Sequence, residues 1–175
     1  MQRQTGICLY NVIFPIWMLI LFPIGWLIAI PGNFLIDSLV LLLLMRNMQR
    51  AERNNIYRKS IWRVYGIGFL SDFIGLLWMF GSQVIDGMLG GHAGFGAWWY
   101  QHITNAVALN PFETIPAFVY TFLGVAISGL CIYALNVRFA FSKTRLQPRK
   151  KKQFALWLAV CTAPYLFFLP TIWFL

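Results

Sequence analysis

The basic residues of this chain fall in three places, and the apolar runs between them carry none. Arg3 stands alone near the start. Arg46, Arg50, Arg53, Arg58, Lys59 and Arg63 form one cluster, and Arg138, Lys143, Arg145, Arg149, Lys150, Lys151 and Lys152 form a second. A bilayer sorts charge along a chain in this way: basic loops stay on the cytoplasmic side, and apolar runs of about 20 residues cross the hydrocarbon layer. Composition agrees, with 59% apolar and only 11% charged residues, against about 25% charged in soluble domains. The pattern predicts an all-α integral membrane protein. The net charge of +9 reads as topology determination, with anionic lipid headgroups drawn to the basic face and no nucleic-acid partner.

The spans follow from the apolar runs. Ile7 to Met45 as one helix would be about 58 Å long, twice what a bilayer needs. Pro15, Pro23 and Pro31 interrupt it, and Pro23-Ile24-Gly25 is the best internal turn. Splitting there gives spans over about 8–22 and 26–45, then 65–85, 114–137 and 154–175, with Pro164 and Pro170 kinking the last. The expected architecture is a single membrane domain, 1–175, with a bundle of five transmembrane helices. Four helices plus a re-entrant N-terminal segment is the alternative. Segments 46–63 and 138–152 are expected to be cytoplasmic, 46–63 as a polar helical extension. Segment 86–113 is expected outside, together with the C-terminus, in an inner or plasma membrane. Trp98-Trp99-Tyr100 fits an interfacial aromatic belt, and 98–108 fits a short helix lying there. The N-terminal apolar stretch is too long for a signal-peptide core and is expected to be retained.

Two of the five acids lie inside spans. Asp37 is nine residues before Arg46 and Asp72 nine residues after Arg63, so each falls about 13 Å inward of a basic rim. Equal offsets on antiparallel neighbours place both carboxyls at one depth. Asn33 shares a face with Asp37 at i, i+4. Asp72 shares its face with Tyr65, Gly68, Gly75 and Met79. Counting inward from the second basic cluster reaches Ser128 and Gly129 on the next span and Cys161 and Thr162 on the last, while Thr121, Gly124 and Ser128 form a small-residue stripe. The expected ion or proton site is Asp37, Asp72, Asn33, Ser128 and Thr162. An acid at a helix centre costs about 2.5–3.5 kcal/mol and must face protein or water. A transport-type or transporter-accessory protein follows, enclosing its path as a homo-oligomer or with a partner membrane subunit. In the competing reading, a structural, assembly or regulatory subunit, the acids bond to Asn33, Ser38, Ser71 or Thr162 and only fix packing.

Other chemistry is sparse. Cys8, Cys131 and Cys161 have no paired spacing and read as packing residues. His92 and His102, with Asp86 and Glu113, match no metal-ligand spacing, and no hydrolase, zinc-protease or phosphate-loop motif occurs. No catalytic residue, metal or cofactor is expected, and the chain does not read as an enzyme. Asn136 reads as a cap for the inner end of its helix. The run Asn136-Val137-Arg138-Phe139-Ala140-Phe141, followed by basic residues and a new apolar stretch, resembles the Asn-x-x-Phe-x-Phe segment of small four-span proteins associated with moving polyprenyl-linked sugars. That resemblance covers ten residues, from Ile132, and implies lipid-linked substrates as a second substrate class.

Overall fold

The computed structural model describes residues 23–90, 93–144 and 146–174, most of them helical, with no strand among them. The expected first span, 8–22, and His92 lie outside the described residues. Six α-helices form a bundle: α1 (Pro23–Leu44), α2 (Arg50–Leu89), α3 (Phe95–Trp99), α4 (Asn105–Leu109), α5 (Ile115–Leu135) and α6 (Pro148–Thr162). A π-helical turn, Tyr100–Thr104, joins α3 to α4, and another, Asn136–Ala140, ends α5. Among the described residues two helical stretches, Arg50–Leu89 and Ile115–Ala140, are long and apolar enough to cross a membrane, and Ile30–Leu44 is a shorter apolar helix.

Local chemistry sets most boundaries. The turn expected at Pro23-Ile24-Gly25 is not there: those residues are helical, and Pro31 lies inside α1. Arg50 to Leu89 is one unbroken helix of 40 residues, about 60 Å long, so the basic segment 46–63 is a tight turn followed by helix. Gly90 closes α2 at φ 67°, a left-handed cap that glycine reaches without strain. Thr114 caps α5, accepting from the Ala117 amide at 3.2 Å. Where α5 passes into the π-turn, Asn136 is buried and its side chain donates to the Ile132 carbonyl at 2.8 Å; that carbonyl also accepts from the Asn136 backbone N–H and the helix runs on to Ala140, so Asn136 is not the cap expected from sequence.

The last apolar stretch departs from expectation. A single kinked helix over 154–175 is replaced by α6, which stops at Thr162, and two 3-10 turns, Tyr165–Phe168 and Thr171–Phe174. Ala163 is extended (φ −60°, ψ 151°). The ring of Pro164 disfavours the α conformation at the residue before it, so the helix breaks there and does not merely bend.

Two apolar clusters hold the bundle. One joins Leu41 and Met45 to Val64, Ile132, Phe141, Phe154 and Leu158. The other joins Leu76 and Met79 to Ile103, Val107, Val125 and Phe167. Between them in chain order fall Ser71 and Asp72 on α2, Ser128 on α5 and Thr162 at the end of α6, while Asp37 on α1 lies between Phe34 and Leu41 of the first cluster. A polar layer therefore separates two dry regions. Through this layer α2 and α5 approach closely, because Gly75 and Gly124 carry no side chain. A Cβ at Gly75 would collide with Ser128 Oγ and lie 2.8 Å from Phe167 Cε2, and one at Gly124 would lie 3.0 Å from Trp78 Cδ1. Above the layer the two helices are locked reciprocally. Trp78 Nε1 donates to the Tyr120 carbonyl at 3.0 Å, Tyr120 Oη donates to the Trp78 carbonyl at 2.7 Å, and the rings stack at 5.2 Å. The continuous helical stretch from α3 through α4 docks on α2 by the indole of Trp99 and the hydroxyl of Thr104, both donating to the Ser82 carbonyl.

Candidate functional site

The side chains of Asn33, Asp37, Asp72 and Thr162 converge on one cavity of about 460 Å³. Asn33 and Asp37 come from successive turns of α1, Gly68 and Asp72 from successive turns of α2, and Cys161 and Thr162 from the end of α6. The broken segment after α6 forms much of the remaining wall, with Pro164, Tyr165, Phe167, Phe168 and Trp173, and Phe112 enters from the α4–α5 connection.

Asp37 is only 4% exposed. Its carboxyl packs on the bare backbone of Gly68, where a Cβ would sit 3.2 Å from Asp37 Oδ2. Asp72 Oδ2 accepts from Asn33 Nδ2 at 3.3 Å. Asp72 Oδ1 is buried and has no hydrogen-bond partner among the described residues. The two carboxyls are close enough to act on one another electrostatically. The Thr162 side chain stands against the Asp37 carboxyl, while its hydroxyl donates to the Leu158 carbonyl at 2.8 Å.

Two details differ from the sequence reading. First, the acids are not level. Asn33 meets Asp72, but Asp37 meets Gly68, four residues earlier on α2, so the carboxyls are staggered by about one helical turn. Counting inward from Arg46 and Arg63 treated those residues as one rim. In the fold Arg46 lies in the turn after α1, whereas Arg63 is 13 residues into α2 and reaches across to the Phe139 carbonyl and Ser142 Oγ. Second, Ser128 belongs to the polar layer but not to the cavity. It lies on the other side of α2, fully buried against Gly75, donating to the Ser71 carbonyl at 3.0 Å. Its role is to tie α5 to α2.

Sequence reasoning missed Phe112, Phe168 and Trp173 as cavity walls. The pair of X-Pro steps, Ala163-Pro164 and Leu169-Pro170, was the available signal, since each disfavours helix at its first residue. Gly68 was singled out as a point of close approach, and the Asp37 carboxyl fills that place. Of the outer residues, His102 stacks on Trp98 at 5.1 Å and its Nδ1 lies 3.0 Å from the Trp98 carbonyl. No group of three His, Cys, Asp or Glu side chains among the described residues could hold a metal ion. Comparison with protein-family models, curated proteins and solved structures finds no match to the chain.

Proposed function

We propose that the chain is a polytopic membrane protein of transport type, or a transporter accessory, in which Asp37 and Asp72 form an intramembrane proton or cation site. The observation that carries the proposal is the convergence of two acids, an amide and a hydroxyl on a cavity walled by a broken helix. Irregular backbone at membrane depth is tolerated where it lines a cavity or is buried in protein. Interrupted helices of this kind present helix ends and freed carbonyls to ions, and the C-terminal end of a helix carries partial negative charge. Here the end of α6 faces the two carboxyls.

Membrane residence is supported by the outward faces of the long helices. In the most apolar windows of Arg50–Leu89 and Ile115–Ala140 only 39% and 33% of residues are buried, whereas a soluble core helix would be mostly buried. Leu70, Phe73, Leu77, Phe122 and Leu130 all point away from the protein, far more apolar surface than a soluble monomer tolerates. On this reading the basic segments face the cytoplasm of a cell membrane and the α3–α4 stretch faces outward. Anionic headgroups gather at the basic end, and a second copy or another membrane subunit completes the path. No catalytic step is assigned.

The Asn33–Asp72 bond favours one second reading, an assembly or regulatory subunit in which the acids pin α1 to α2. Flux across proteoliposomes separates the two. A transport site predicts that Asp37→Asn and Asp72→Asn each leave a folded, helical protein that has lost pH- or cation-dependent flux. Because a cation needs a carboxylate that protons compete for, wild-type affinity should rise with pH, and either substitution should flatten that dependence. Wild-type flux retained in both variants would defeat the transport reading. Loss of assembly with no ion dependence at any pH would favour the subunit.

A further inference from the structure

The same cavity carries a statement about its substrate class that rests on the site reading above. Its size is the first clue. About 460 Å³ falls in the range of about 300–1,000 Å³ typical of sites for small organic molecules. A bare inorganic ion needs a tight shell of several oxygen ligands, and the polar side chains here stand on one side of a much larger space. The walls are the second clue. Phe112 and Phe168 stack at 5.8 Å, and Trp173 and Tyr165, both largely exposed, line the opening. The aromatic wall is therefore continuous with the apolar outer surface. Charge is the third. Among the described residues no Lys or Arg lines the cavity, and Asp72 Oδ1 lies buried with no partner among them. An occupant that satisfies an apolar aromatic wall and an uncompensated acid pair together is an apolar molecule bearing one positive charge.

We propose that the cavity binds a lipophilic organic monocation, a quaternary or protonated amine carrying an aromatic or bulky apolar group, in exchange for a proton held by Asp37 and Asp72. One positive charge enters as one proton leaves, so the net charge of the site is unchanged by the exchange. The cationic centre lies between the two carboxyls near the end of α6, and the apolar group lies against Phe112 and Phe168. Entry is lateral, past Tyr165 and Trp173, from the apolar phase that surrounds the bundle.

The test is isothermal titration of the full chain in detergent with benzyltrimethylammonium. Neopentylbenzene serves as its neutral isostere, and sodium chloride and potassium chloride are titrated alone. Binding of the quaternary ammonium is expected to strengthen as pH rises and to weaken on acidification. Titrations at mildly acidic pH, where the acid pair holds its proton, in buffers of different ionisation enthalpy should show about one proton released per cation bound. Asp72→Asn is expected to weaken binding about tenfold or more, and Phe168→Leu by about threefold. The proton count is read on the unaltered protein, so a variant that fails to fold does not spoil the test. Equal affinity for neopentylbenzene, or binding without proton release, overturns the proposal. Aspartate-dependent binding of sodium or potassium that the organic cation does not compete with overturns the substrate class and leaves the acid site standing. If no ligand, proton included, depends on either aspartate, the acid site itself fails and the proposal with it.

Discussion

Gly75→Ala measures how much of the fold depends on bare backbone between α2 and α5. The added Cβ would overlap Ser128 Oγ, approach Phe167 Cε2 to 2.8 Å and reach 3.4 Å from the Gly124 carbonyl oxygen. Backbone cannot yield there, so Ser128 must rotate and give up its bond to the Ser71 carbonyl, and Phe167 must shift. Overpacking of this kind costs about 1–3 kcal/mol. Alanine returns about 1 kcal/mol of helix propensity over glycine, which leaves a net destabilisation of about 0–2 kcal/mol. Ser128→Ala alone loses one hydrogen bond, about 0.5–1.5 kcal/mol. In the double variant the worst clash has gone, so the two effects should fall short of their sum by about 1 kcal/mol, beyond the roughly 0.3–0.5 kcal/mol expected of independent sites. Equilibrium unfolding in mixed micelles, followed by tryptophan fluorescence, reads all four corners of the cycle. Strict additivity would refute the close approach, as would a stabilised Gly75→Ala protein.

Two further changes probe the elements beside the site. Pro164→Ala removes the restriction on Ala163 and should let α6 run on past Thr162, raising helicity by about one turn and abolishing cation binding by withdrawing Phe168 and Trp173 from the cavity; unchanged circular dichroism with unchanged binding would show that the break is set elsewhere. Tyr120→Phe deletes the bond to the Trp78 carbonyl and should cost about 1 kcal/mol in the same unfolding assay, with flux unaffected; a loss of flux without loss of stability would contradict a purely clamping role.

How far the residues announced this arrangement depends on the range of the interaction. Local chemistry was legible in part: the helical nature of most of 46–63 follows from short-range bonding, whereas the turn expected at Pro23-Ile24-Gly25 is helix. The small-residue face of α5 was legible too, because Gly124 and Ser128 repeat at helical spacing, although it faces Gly75 and not the acids. The stagger of Asp37 and Asp72 was not. It depends on where α1 and α2 cross, which is set by the turn after Leu44 and by rings such as Phe34, Trp62 and Tyr65 packing at 5.6–6.4 Å. Charge position along the chain carries no information about that register. The cavity wall was also hidden, since two prolines show that a helix ends but not where the following residues go.

The fastenings on the two sides of α2 are unequal. Towards α5 it is bolted by glycine contacts and by the crossed Trp78 and Tyr120 bonds. Towards α1 it is held by a 3.3 Å amide contact at the level of the acids and by a hydrogen bond between the Ser38 and Tyr57 hydroxyls. Any rearrangement that empties the chamber will therefore follow the softer seam: α1 swings or slides with the loosely wound tail beyond α6, and the α2–α5 pair stays behind as the fixed frame.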